Sequence, residues 1–309
     1  MQKNIVTYII VTWNNEKQIE DCLDTIQQYT AVPYSVIVVD NCSKDSTCSI
    51  IRDKYKYVKL VDIKENLGFA KANNLALKQV ETPYVCFINP DIILTEDIIK
   101  PSLQILETDS TVGLVACRLN NADGSLQKSW HCFFDQTSAI MDIFHITNLF
   151  PKRMLHKVKE KPNNVYRTDW VIGAEMIMRT IEAKKVEGFS TEYFMYVEDM
   201  DLCKKVQEIL HKITLFIADV SLIHLGGASE KQNTNYKKLQ KTFENNILFS
   251  KKFYGYAKSK VILQRMICCY RIRLMLLKLL LRGRKKNDYV EHDQNIIKLL
   301  LTLRATYNS

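Results

Sequence analysis

The chain has 309 residues, 47% of them hydrophobic, enough to bury the core of one α/β domain with a smaller appendage, so a disordered protein is excluded. Its formal charge of +9 is uneven: residues 251–286 hold twelve Lys or Arg and no acid, leaving 31 basic against 34 acidic residues elsewhere. Nine cysteines, none in a CxxC pair, argue against a disulfide framework and fit a reducing cytoplasm.

In chain order, the apolar stretch 5–13 reads as a buried strand rather than a signal core, because polar Asn14-Asn15-Glu16-Lys17 follows with no small-residue cleavage site. Short β-branched runs then alternate with amphipathic stretches: strands at 6–12, 35–39, 57–63 and 84–88, helices at 18–28, 46–55 and 69–79. This alternation predicts a parallel sheet covered by helices. Ligands of such sheets sit beyond the carboxyl ends of the strands, so the polar segments 12–15, 40–45, 66–71 and 89–91 should line one edge. The pattern loosens over 114–164, with a hairpin expected at Asn121-Ala122-Asp123-Gly124 and an apolar stretch at 133–150 that reads as an acceptor-side loop or small subdomain. Residues 168–179 read as a strand, 200–209 as a helix and 214–218 as a strand, completing a mixed sheet. Residues 236–253 and 258–281 read as helices outside that core. The expected division is a sheet domain over 1–230, with halves 1–112 and 113–230, and a helical region over 231–309.

The nine glycines form neither GxGxxG nor GxxxxGK[ST], which disfavours a nicotinamide dehydrogenase or a P-loop NTPase; GxSxG and HExxH are absent too. Chemistry is therefore sought in acids at strand ends. Asp40 directly follows an apolar strand, placed to accept hydrogen bonds from a pyrimidine or ribose, or else to cap a turn together with Asp45. Asn89-Pro90-Asp91 is a rigid turn whose Asp91 offers a hard oxygen ligand for Mg²⁺ or Mn²⁺, though the tripeptide is also ordinary turn chemistry. Glu198, Asp199 and Asp201 crowd the start of a helix, where acids are electrostatically favoured. Three of them beside an aromatic approach point to a catalytic carboxylate. His224 follows a strand and precedes Gly226-Gly227, backbone able to approach a phosphate; a structural histidine is the alternative.

Taken in order, these segments resemble the family 2 glycosyltransferases, particularly their bacterial rhamnosyltransferase-like branch that builds cell-surface polysaccharides. The resemblance covers roughly residues 4–230. It rests on Val11-Thr12-Trp13-Asn14-Asn15, Val39-Asp40-Asn41-Cys42-Ser43-Lys44-Asp45, Glu65-Asn66-Leu67-Gly68-Phe69-Ala70-Lys71, Asn89-Pro90-Asp91, Asp169-Trp170-Val171-Ile172-Gly173-Ala174, the run 194–202 and His224. It implies a GT-A fold, a Rossmann-like mixed sheet flanked by helices, here with a C-terminal basic amphipathic helical extension. It further implies inverting transfer of a sugar from a nucleotide-sugar donor to a glycan or lipid-linked glycan acceptor, with TDP-rhamnose favoured and UDP-sugars open. Thr12, Asn14 and Asp40 would lie near the base, Asn66 and Lys71 near ribose or diphosphate, and Asn89 with Asp91 at the metal-binding DXD-like turn. His224 would be a second metal or diphosphate contact, Asp199 the general base with Glu198 beside it, and Trp170 and Gly173 would shape the substrate pocket. Asp201 is the fallback base and a substrate contact. Asn89 departs from the family's first acid, which motivates a rival reading as a non-catalytic GT-A scaffold. A nucleotidyltransferase is disfavoured because 12–17 lacks a glycine.

The basic segment is interleaved with Ile, Leu, Met and Val rather than with stacking aromatics, so an anionic membrane surface is expected as its partner and nucleic acid is not. Its charges interrupt any run of ~18 apolar residues, so a peripheral helix on the inner face of the cell membrane is expected, burying Ile262, Leu263, Met266, Ile267, Leu274 and Leu277 in lipid. Packing on the catalytic domain, or pairing in a homodimer, is the alternative.

Overall fold

In this computed structural model, residues 3–146, 156–158, 164–193, 195–226, 235–280 and 284–308 are described. β1 (Val6–Thr12) and β2 (Tyr34–Asp40) are largely buried runs rather than alternating ones, the signature of strands covered on both faces. They pair in parallel with each other, with the short β3 (Lys59–Asp62) outside β2 and β4 (Tyr84–Ile88) on the other side of β1. The helix Ile19–Tyr29 closes one face by burying Ile19, Cys22, Leu23 and Ile26, spaced i, i+3, i+4, i+7. The expected strand and helix positions in this half hold to within a few residues.

The remaining strands are β5 (Ile92–Leu94), β6 (Val112–Asn120), β7 (Leu126–Gln127), β8 (Trp130–His131), β9 (His156–Lys157), β10 (Val165–Thr168), β11 (Trp170–Val171), β12 (Glu175–Arg179) and β13 (Ile213–His224). The main sheet runs β3-β2-β1-β4-β12-β6-β13-β10-β9, with β5 paired to β13 and β7 to β6; β8 and β11 form a separate ribbon. β12 runs antiparallel to both β4 and β6, which makes the sheet mixed. The Asn121–Gly124 hairpin forms as expected, with Gly124 at φ 80°.

Three expectations are corrected. The strand read over 168–179 is three pieces, β10, β11 and β12, because the chain leaves the sheet to pair β11 with β8 and turns at Gly173 before rejoining it. The stretch from Leu114, read as loosening, begins inside a nine-residue strand whose continuous apolar run lacks the alternation that marks a half-exposed strand. β13 is twelve residues long, since its outer end pairs with β5. Within the expected helical region over 231–309, a further helix forms at Arg284–Asn308.

The chain divides into two compact units, Met1–His131 with Met154–Asn233, and Cys132–Arg153 with Thr234–Ser309. The first holds the sheet. In the second, the helices Gln136–Ile143, Asn235–Tyr254, Tyr256–Leu280 and Arg284–Asn308 pack together, so residues 132–153 group with the C-terminal helices. Ile262, Leu263, Met266 and Ile267, expected to enter lipid, are instead buried within this unit.

Candidate active site

The carboxyl ends of β1 to β4 carry the polar segments as expected. In the first two, several side chains engage one another, while Asn15 Nδ2 is buried without a hydrogen-bond partner among the described residues. Thr12 donates its hydroxyl to Asp40 Oδ1 (3.0 Å), and Ser43 donates both hydroxyl and backbone N–H to the same carboxylate. Asn14, in the left-handed region at φ 56°, accepts the Lys44 N–H at 2.7 Å, and its own N–H donates to Ser43 Oγ. Thr12 and Asp40 are buried. Asn41 Oδ1 accepts the Leu67 N–H, tying the third segment in, while Asn66 caps Gly68 and both Asn66 and Lys71 are exposed. Thr12, Asn14 and Asp40 thus build a rigid floor, and Asn66 and Lys71 face solvent.

Among the described residues, Asp40, Cys48 and Asp62 form a group of three ligand-type side chains within 4.8 Å. Burial and the neighbouring Asp40 push the Cys48 thiol up to about 12, and Asp40 is already engaged by Thr12 and Ser43. A protonated thiol beside a saturated carboxylate makes a poor cation site.

A different pair fits a divalent ion. β5 pairs antiparallel with the end of β13 so that His224 stands opposite Ile92, and Leu225 N–H bonds the Asp91 carbonyl at 3.0 Å. This brings His224 Nε2 to 3.4 Å from Asp91 Oδ1, both side chains being largely buried. The other ring nitrogen, Nδ1, lies 2.7 Å from Gln127 Oε1, and Gln127 Nε2 donates to Asn121 Oδ1, which fixes the amide with its oxygen toward the ring. Nδ1 therefore donates to Gln127 Oε1, and the ring turns Nε2 toward a carboxylate oxygen. Two acceptors facing each other repel unless a cation or a proton lies between them. The donor set of one carboxylate and one imidazole suits Mn²⁺ or Mg²⁺ completed by substrate oxygens. Gln127 carried no motif in the sequence; only the β6–β7 hairpin places it.

The acids near residue 199 sit in a different environment. Tyr196 and Val197 have φ of 72° and 78°, a conformation costly for any L-residue and most for a β-branched one. This strained turn starts the helix Glu198–Leu210, whose first turn includes Glu198, Asp199 and Asp201. Asp199 Oδ2 accepts the Gly173 N–H at 3.0 Å and Oδ1 accepts the Met200 N–H at 2.8 Å. A Cβ on Gly173 would stand 3.1 Å from Asp199 Cβ, so glycine permits this approach. Burial raises the carboxyls of both Asp199 and Glu198 above the usual range, and Asp199 raises Glu198 further. Glu198 Oε2 is buried with no hydrogen-bond partner among the described residues. Asn89 N–H bonds the Ala174 carbonyl at 2.9 Å, so the Asn89–Asp91 turn and the Gly173 loop that grips Asp199 share one sheet edge.

Asp201 is fully buried, accepts hydrogen bonds from Ser190 and Tyr193 and lies 3.9 Å from Lys205. Trp170 stacks on His131 with centroids 4.6 Å apart, and burial lowers His131 to about 4, leaving a neutral aromatic pair. Phe194 and Gly227, two residues of the sequence motifs, lie outside the described residues.

The sequence profile of Glycosyl transferase family 2 matches residues 7–174, more than half of the chain. Rhamnosyltransferase WbbL of Escherichia coli K12 is 26% identical over 214 residues, covering 65% of this chain and 76% of that protein. The N-acetylglucosaminyl-diphospho-decaprenol L-rhamnosyltransferase of Mycobacterium tuberculosis is 24% identical, over 64% of this chain and 69% of its own length. A Staphylococcus epidermidis teichoic acid poly(glycerol phosphate) polymerase reaches 34% over 117 residues, but the match spans 16% of its length. Among solved structures, a mannosyltransferase from Pyrobaculum calidifontis in complex with GDP-Man and Mn²⁺ superposes with TM-score 0.58 at 16% identity, covering 98% of this chain and 88% of its own. The fold is that of the GT-A glycosyltransferases.

Proposed function

The chain belongs to glycosyl transferase family 2, and from that premise we propose that it transfers one sugar, with inversion, from a nucleoside diphosphate to a glycan or lipid-linked glycan of a bacterial surface polymer. The observation that carries the reading is the pairing of two sites on one sheet edge: Asp91 with His224, and Asp199 gripped by Gly173. Asp199 accepts the proton of the acceptor hydroxyl while that oxygen attacks the anomeric carbon opposite the diphosphate. The bond to the leaving diphosphate oxygen breaks in the same step, and no covalent enzyme intermediate is formed. Its raised basicity suits this task, since a carboxylate nearer neutrality is a stronger acceptor that still ionises. Asp91 and His224 would hold the divalent ion, which when bound supplies charge compensation for the departing diphosphate. Thr12, Asn14 and Asp40 build the floor of the nucleotide pocket, Asn66 and Lys71 reach ribose or diphosphate, and Trp170 and Glu198 flank the acceptor.

Rhamnose from TDP-rhamnose is the preferred donor, supported by the two rhamnosyltransferases among the relatives. A lipid-linked acceptor places the protein on the cytoplasmic face of the cell membrane. The test is a thermal-shift and calorimetric screen of TDP-rhamnose and common UDP-sugars with and without Mn²⁺ or Mg²⁺. Metal-dependent stabilisation by one nucleotide sugar supports the reading and names the donor; silence from folded protein across the panel transfers it to the non-catalytic scaffold.

A further inference from the structure

The exposed apolar side chains of the helical unit are concentrated rather than scattered. On the helix Tyr256–Leu280, Ile272, Met275, Leu276, Leu279 and Leu280 are 39% to 75% exposed. Their spacing is i, i+3, i+4, i+7, i+8, so they form one stripe. The face that this helix buries, Ser259, Ile262, Leu263, Met266, Ile267 and Tyr270, lies on the other side at 100° per residue, so the stripe is no part of the unit's core. Arg271 and Lys278 are exposed beside it, and Arg265 continues its line. The sequence then runs into Arg282, Arg284, Lys285 and Lys286, within a segment of twelve cations and no acid.

A partner must therefore offer both an apolar depth and negative charge. An isologous dimer through this stripe would bring two sets of cations together, which is repulsive. No helix among the described residues is long and apolar enough to cross a membrane. We infer that this stripe seats the protein on an anionic phospholipid surface, with the five apolar side chains at the acyl boundary and Arg271 and Lys278 at the headgroups. This is the face opposite to the one that the sequence pattern alone selects. The inference draws its purpose from the lipid-linked acceptor reading but has its own test.

The full chain is sedimented with phosphatidylglycerol-containing vesicles and with pure phosphatidylcholine vesicles, at low salt and at roughly 0.5 M salt. Binding is expected to the anionic vesicles, and to fall at least ~10-fold in high salt, on neutral vesicles, and in the double variant Leu279→Glu with Leu280→Glu. Arg271→Glu with Lys278→Glu should weaken it similarly. Ile181→Glu, at a 76% exposed position on the sheet unit, should leave it unchanged. All are surface positions, and circular dichroism and thermal melts verify folding. Absence of binding by the wild type overturns the inference. So does wild-type binding by the Leu279/Leu280 variant, or a change from dimer to monomer in that variant with vesicle binding intact. Donor turnover with a water-soluble acceptor, read in parallel, reports on the transferase reading separately.

Discussion

The two ends of the catalytic edge treat their polar groups in opposite ways. After β1 and β2, Thr12, Asn14, Asp40 and Ser43 spend their hydrogen bonds on one another, with single left-handed residues at Asn14 and at Cys42, φ 56° and 68°. At the start of the helix Glu198–Leu210, two adjacent carboxyls are raised by burial, one keeps an oxygen without a partner among the described residues, and a Tyr-Val pair is held in left-handed backbone. The first arrangement is a scaffold. The second stores unfavourable electrostatics and strain at the place where the proposed mechanism moves a proton, which the rest of the fold offsets.

Substituting on each side sharpens this contrast. Asp199→Asn should lower kcat by about 10²- to 10⁴-fold while donor affinity changes little, measured by steady-state kinetics beside calorimetry. Glu175 tests whether burial alone, without strain, has a catalytic consequence. It lies in the sheet core, and burial pushes it up to about 8 from the usual carboxylate value. A raised carboxyl binds its proton more tightly when folded, so its stabilisation is full in acid and lost as pH rises toward 8. The free energy of unfolding should therefore fall between pH 6 and pH 8.5, by an amount on the order of a few kcal/mol and with a matching fall in melting temperature, and Glu175→Gln should flatten that slope without a matching loss of turnover.

Gln127→Ala frees the His224 ring and should weaken metal-dependent donor binding about 10- to 100-fold, read from Mn²⁺ titrations. Gly173→Ala pushes on Asp199 through a 3.1 Å contact, and should cost about tenfold in kcat at nearly constant donor affinity. Asn14→Ala is the smallest. Removing the acceptor for Lys44 N–H should cost about 1 kcal/mol of stability in denaturant unfolding and leave the acid limb of the pH–rate profile in place.

Legibility in the sequence follows the same division. The parallel half was readable because each strand is a short apolar run ending in a polar turn, a purely local signal. Asp91, Asp199 and His224 were named from motifs, but their grouping depends on β5 pairing with β13 and on the β11–β12 turn, contacts between residues far apart in the chain. Gln127 had no local signal at all. The surroundings of Asp201 were not legible either: two residues after Asp199 on a helix, its side chain turns to the opposite face, toward Ser190 and Tyr193. The C-terminal helix misled for a related reason. Apolar residues cover enough of its circumference that sequence alone does not tell the packed face from the exposed one, and only packing within the helical unit decides.

The most direct test of the account is an NMR time course with a donor labelled at its anomeric carbon, a divalent ion and a glycoside acceptor. The account predicts that release of the nucleoside diphosphate matches the appearance of a product of opposite anomeric configuration, and that Asp199→Asn suppresses both. Retained configuration, or undiminished transfer by Asp199→Asn, would contradict it.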